Sequence, residues 1–249
     1  FLCAASVLLS LGGCGVGIGT PFGGEMKTAS IAQPSRRTIC VVSALGNAFA
    51  VNTIGLTMFG SNQTNVPVET WQVDDYVTTR VAELVGTRFN VQRVSAPGNA
   101  FASLEKSGAL FRNLETERVD IVRKLVLGER CDYHLLVLRT TSSVGTTNQK
   151  VSGYGVVRSG DGVIVDSVHL FALAKLVLYE NHSYKVLAEL PLHGPGGLFT
   201  AISGPYKKLE TSDWPSPPSM ADNPNLKAGT MALLDAGLVS TLPEVVSIR

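Results

Sequence analysis

Apolar residues along this chain fall into two rhythms. Short runs rich in β-branched residues, Ile39–Leu45 (ICVVSAL), Phe89–Val94 (FNVQRV) and Tyr133–Leu138 (YHLLVL), read as buried strands. Two longer stretches repeat at helical spacing. Val73, Val77, Val81, Leu84 and Val85 share one face of a helix expected over 73–85. Asp74 and Asp75 sit in its first turn, where the helix dipole favours negative charge, and Gly86 stops it. Leu114–Leu127 is the second helix, with Val119, Ile121, Val122, Leu125 and Val126 turned inward and Gly128 as its cap. Between the first strand and the first helix, Asn47–Thr53 reads as a turn and Ile54–Phe59 as a second strand. Residues 60–65 then read as a loop and Val66–Val68 as a short return strand.

Past residue 139 the pattern changes. Residues 140–150 are polar and read as an exposed hairpin tip or loop. Three β-rich stretches follow, Val151–Arg158, Val163–Tyr179 and Tyr184–Leu190, separated by turn signals at Ser159–Gly162 and Glu180–Ser183. Val168–Tyr179 is apolar on both faces and is expected to be one central strand; Lys175, its exception, reads as a snorkelling side chain. Residues 193–226 carry six prolines and read as a segment wrapped over the domain. The last helix is expected over Leu226–Val239, with Met231, Leu234 and Leu238 as its stripe and an end near Leu242–Pro243. The order predicts an α/β fold: a mixed β-sheet packed by two or three helices, ending in a β-meander and a C-terminal helix. Hairpins in the second half argue against a doubly wound sheet.

The first residues bear on location. Phe1–Leu11 is uncharged and apolar but shorter than the roughly 20 residues of a spanning helix. It ends in Leu11-Gly12-Gly13-Cys14, which resembles a bacterial lipobox. The resemblance implies a signal peptide over 1–13, a lipid such as palmitate on the Cys14 thiol, and membrane attachment through it. Gly15, where Asp would retain the protein at the inner membrane, points to the outer membrane facing the periplasm. Phe1 is preceded by neither Met nor a basic stretch, so the sequence reads as truncated at its start. The alternative, an uncleaved anchor helix, is disfavoured by five glycines between Gly12 and Gly19. Residues 14–37 then read as a flexible tether and 38–249 as a single domain.

Composition narrows the chemistry. The 249 residues are 45% hydrophobic and 16% charged with a net charge of +1, which offers no basic face to nucleic acid. Of four cysteines, Cys3 would leave with the signal peptide and Cys14 would carry the lipid. Cys40 and Cys131 remain, each at the start of a strand-like run. They are expected either to pair, if those strands are parallel neighbours in an oxidising compartment, or to lie as two inert buried thiols. No CxxC or HxxxH spacing suggests a metal, and no cofactor motif is present; the glycine-rich stretch over 13–24 lacks the Gly-Lys-Ser/Thr of a phosphate loop. His134 and His169 fall in strands and could meet with Asp132 or Asp166, although a structural role is the stronger expectation for both. Trp71 and Trp214 read as core cover before interface anchors.

The pieces ICVVSAL, VDDYVTTRVAELVG, FNVQRV, RCDYHLLVL and HLFALAKLVLYENHSYKVLAEL, over about 38–192, follow one another as in the curli-secretion lipoproteins and the TolB amino-terminal domain. The order is similar to theirs; the two long hairpins that curli channels insert into a membrane barrel have no counterpart here. The resemblance implies an envelope lipoprotein that binds an envelope protein or cell-wall component, without catalysis. Two other readings stand beside it: a periplasmic hydrolase with a cleft under residues 193–220, and a subunit of an oligomeric outer-membrane assembly.

Overall fold

The computed structural model describes residues 36–247 except 56–60, 106–111, 146–147, 160–166, 195–201 and 215–218. The signal peptide, Cys14, the tether up to residue 35, the turn at 160–162 and Asp166 therefore lie outside the described residues, as does part of the proline-rich segment.

Chain order runs β1 (Thr38–Ala44), β2 (Ala48–Ile54), β3 (Asn62–Pro67), α1 (Val73–Val85), β4 (Asn90–Val94), α2 (Ala102–Glu105), α3 (Leu114–Leu125) and β5 (Tyr133–Arg139). There follow β6 (Thr141–Ser143), β7 (Lys150–Ser152), β8 (Tyr154–Ser159), β9 (Ser167–Ala172), β10 (Ala174–Glu180), β11 (Val186–Pro191), β12 (Tyr206–Leu209) and α4 (Pro224–Val245). The class is α/β with mixed sheets, a meander and a C-terminal helix. The strands are divided between two five-stranded sheets, ordered β11-β10-β5-β1-β4 and β12-β9-β8-β2-β3, with β6-β7 as a small separate hairpin. In the first sheet β4, β1 and β5 are parallel and β10 and β11 antiparallel. In the second, only β2 and β8 are parallel.

Among the described residues the chain passes from one sheet to the other five times, and three of these passages are neighbours: Leu45–Asn47 between β1 and β2, the β6-β7 hairpin between β5 and β8, and Leu173 between β9 and β10. The apolar run Val168–Tyr179 is thus two strands, each central in its own sheet. Leu173 N–H donates to the Gly153 carbonyl and its own carbonyl accepts from Thr140, so the break is tied to the next crossing. Likewise β2 occupies Ala48–Ile54, where a turn was expected, because Phe49 and Val51 face the core. Past Gly55 the strand expected over Ile54–Phe59 lies outside the described residues. The polar Asn62–Asn65 is the exposed part of edge strand β3, satisfying its backbone on β2.

Alternation along β1 sends side chains to two layers. Ile39 and Val41 join a core that runs under both sheets and is closed by α1 and α4. Cys40 and Val42 point to the opposite face, where Val122 and Val126 of the α3 region cover them. A third cluster, including Val157 and Phe171, lies behind the second sheet under Val144, Val151 and Ile202. Val77 and Val81 of α1 are fully buried, each contributing on the order of 1.5–3 kcal/mol of apolar transfer. The last helix extends beyond the expected end through Pro243, whose ring sits on the solvent side while Leu242 and Val245 anchor the final turn.

Candidate binding pocket at the sheet crossing

Where β1 and β5 end, the crossing loops are pinned by polar side chains. Asp74, in the first turn of α1, accepts from Ser43 Oγ (2.6 Å), Leu45 N–H (2.7 Å) and Gly46 N–H (2.9 Å). Tyr154 Oη donates to the Gly46 carbonyl at 2.6 Å, and burial pushes its phenol above the ordinary range. Arg139, the last residue of β5, donates from Nε to the Leu45 carbonyl. Gly46 and Gly153 flank it, both with positive φ (70° and 67°). A Cβ at Gly46 would come within 2.8 Å of Arg139 Nη2, and one at Gly153 within 3.4 Å of Arg139 Cδ. The two glycines leave the slot that holds the guanidinium.

A cavity of about 560 Å³ opens beside this crossing, between the strand ends and the start of α3. Phe101, Leu104 and Leu138 give it apolar wall, Thr140, Thr141 and Ser152 give it hydroxyl groups, and Arg118, Arg139 and Lys175 give it cations. Crevices outside the carboxyl ends of parallel strands, where the chain changes direction in a sheet, are common ligand sites.

Arg118 is the most constrained of the three cations. Its side chain is 8% exposed. Nη1 and Nη2 donate to the two oxygens of Glu189 on β11 (3.1 and 2.8 Å), and Nη2 also reaches Glu115. Its guanidinium lies 5.8 Å from the ring centre of Tyr179, whose hydroxyl donates to Glu115 at 3.0 Å. Lys175 Nζ donates to Glu189 at 2.6 Å, so this lysine is a member of an ion network. Among the described residues Arg118 Nε has no hydrogen-bond partner. Charge-assisted hydrogen bonds from Arg118, then Lys175, hold the Glu189 carboxyl down to about 2, against the desolvation that opposes them. A group depressed on folding stabilises the native state above its unfolded pKa and loses that contribution as pH falls through the folded value. Wild-type stability is therefore expected to fall between about pH 4.5 and about pH 2 more steeply than that of Glu189→Gln; denaturant titrations across that range check it, and parallel curves would contradict it.

The residues singled out from sequence are scattered relative to this pocket. Cys40 and Cys131 are joined by a disulfide, with Cα atoms 5.7 Å apart, under α3 at the opposite, amino-terminal end of β1 and β5. His134 lies in the first sheet, stacked on Tyr184 and bonded through Nε2 to Asn181 at 2.8 Å. His169 lies in the second sheet, edge-on to Tyr206. Burial lowers the pKa of both imidazoles, further for His169 by the nearby Lys208. Asp132 accepts from Thr38 N–H and does not join them. Trp71 is buried against Phe49, donating to the Ala221 carbonyl. Trp214 borders a second cavity of about 700 Å³ beside α4, which Lys207 also lines. Near the proline-rich segment, His193 and Glu244 are 3.9 Å apart and well exposed, beyond hydrogen-bond reach. Among the described residues no group of three or more His, Cys, Asp or Glu could hold a metal ion.

Sequence reading missed Arg118, Arg139 and Glu189. The available signal was a cation on the inward stripe of α3: Arg118 stands four residues before Val122, where an apolar residue was due.

No protein-family model matches the chain, and no curated protein matches it. Among solved structures, a Xanthomonas campestris protein of family DUF330 aligns over 86% of this chain and 86% of its own, at 11% identity and a TM-score of 0.31. A lipoprotein of Neisseria meningitidis aligns over 84% of this chain and 99% of its own, at 15% identity and a TM-score of 0.29. Both likenesses are loose, and the functional reading rests on this chain's own residues.

Proposed function

We propose that the chain is a lipid-anchored, non-enzymatic binding module of the bacterial cell envelope, attached through Cys14 and taking its ligand in the pocket at the sheet crossing. The observation that carries the reading is the Cys40–Cys131 bridge. Structural disulfides persist in oxidising compartments and are rare in the cytosol. The lipobox-like Leu11-Gly12-Gly13-Cys14 supports the same compartment, and the element order similar to the curli-secretion lipoproteins and the TolB amino-terminal domain agrees with it. The pocket supports binding: its cations are held in place by neighbouring carboxylates and carbonyls, and its apolar wall offers area to a ligand.

The test is fractionation of cells expressing the full chain behind a complete signal peptide. The protein is expected in the membrane fraction, and Cys14→Ser placed behind a cleavable signal peptide that needs no cysteine is expected in the soluble envelope fraction. Equal distribution of the two would contradict anchoring through Cys14.

A further inference from the structure

The pocket wall has an unbalanced charge. Arg118 and Lys175 are matched by Glu115 and Glu189, two cations against two carboxylates. Arg139 is left over: its Nε donates to the Leu45 carbonyl, and among the described residues no carboxylate lies within ion-pair distance of it. It is half-buried and locked in the slot between Gly46 and Gly153, so its guanidinium is oriented before any ligand arrives. Arg118, more than nine-tenths buried on the same wall, is held by Glu115 and Glu189. Leu114 and Glu115, the first residues of α3, also line the cavity, and the start of that helix is already capped by Asn113, whose side chain accepts from Thr116 N–H. Opposite these groups the wall is apolar, with Phe101, Leu104 and Leu138.

Resting on the reading of the chain as a binding module, we propose that the pocket takes a small molecule joining one singly charged oxyanion, a carboxylate or a phosphodiester, to an apolar body, with Arg139 as the residue that meets the anion. One negative charge neutralises the leftover cation; a second would stand beside Glu115 and Glu189 uncompensated. The cavity volume falls within the range of small-molecule sites.

The experiment is calorimetric titration of the full chain carrying Cys14→Ser, in detergent-free buffer, with four probes. Decanoate and dibutyl phosphate present the two oxyanions on apolar bodies, decanol presents the body alone, and acetate a carboxylate with almost none. Decanoate or dibutyl phosphate is expected to bind, and the tighter of them identifies the anion. Decanol and acetate are each expected to bind weaker by about ten-fold or more. Arg139→Gln is expected to weaken the anion by about ten-fold or more while leaving decanol unchanged, and Arg139→Lys to restore part of the loss. Should Arg139→Gln not fold, Thr141→Trp, at an exposed position on the pocket wall, is expected to abolish decanoate binding by filling the cavity. Decanol binding as tightly as decanoate, Arg139→Gln binding as wild type does, or Thr141→Trp retaining binding would overturn the proposal. Absence of binding by every probe overturns the ligand class and leaves the Cys14 fractionation result intact; a soluble wild-type chain that binds decanoate overturns the anchor alone.

Discussion

Breaking the Cys40–Cys131 bridge by reduction is expected to lower the unfolding free energy by about 2–5 kcal/mol. The bridged cysteines are 91 residues apart, so the closed loop contains β2, β3, β4, α1, α2 and α3. A loop of that length removes much of the freedom of the unfolded chain, which is where a cross-link acts in the chain-entropy account. Both cysteines are buried beneath α3, beside Val122 and Val126, and reduction leaves that packing in place. Double replacement by alanine adds a packing loss and is expected to cost more than reduction alone. Urea titrations with and without reductant measure the difference. Coincident midpoints would mean that the bridge does not hold the two parallel strands together.

Asp74→Ala is expected to cost about 3 kcal/mol, because three donors at the β1-β2 crossing lose a charged acceptor together. Asp75→Ala, one residue along the same helix, is expected to cost roughly 0.3–1 kcal/mol, since its exposed carboxylate acts through the helix dipole. Denaturant titration of the two variants separates the cases, and equal effects would contradict the pinning role. The loss at Asp74 also reaches the pocket. Leu45 and Gly46 are the backbone against which Arg139 is set, so a loosened corner is expected to weaken decanoate binding along with stability.

These two aspartates show where sequence reading stops. Helix α1 is legible over Val73–Val85 because its apolar residues keep a 3.6-residue rhythm and Gly86 interrupts it. From that rhythm Asp74 and Asp75 look alike; only the fold brings Ser43, Leu45 and Gly46 against the first. The division into two sheets is hidden for a related reason. Leu173 carries no glycine, proline or polar residue to mark a break, and both halves of the run are central strands, so the apolar pattern passes through the crossing unchanged. Edge strand β3 was obscured in the opposite way, since a strand open to solvent can be built from Asn62-Gln63-Thr64-Asn65. The pocket depends on residues from β5, α3, β10 and β11 whose spacing along the chain carries no motif. Arg139 stands one residue past the strand expected over Tyr133–Leu138, and its role follows from the two glycines that face it. Pairing of Cys40 with Cys131 follows from β1 and β5 being parallel neighbours, a register that local pattern leaves open.

The most direct test of the whole account is the intact mass of the protein extracted from envelopes after alkylation without reduction. The account predicts a chain beginning at Cys14, heavier by its lipid, with neither Cys40 nor Cys131 alkylated. A chain that retains the residues before Cys14, that carries no lipid, or that takes up two alkyl groups would contradict it.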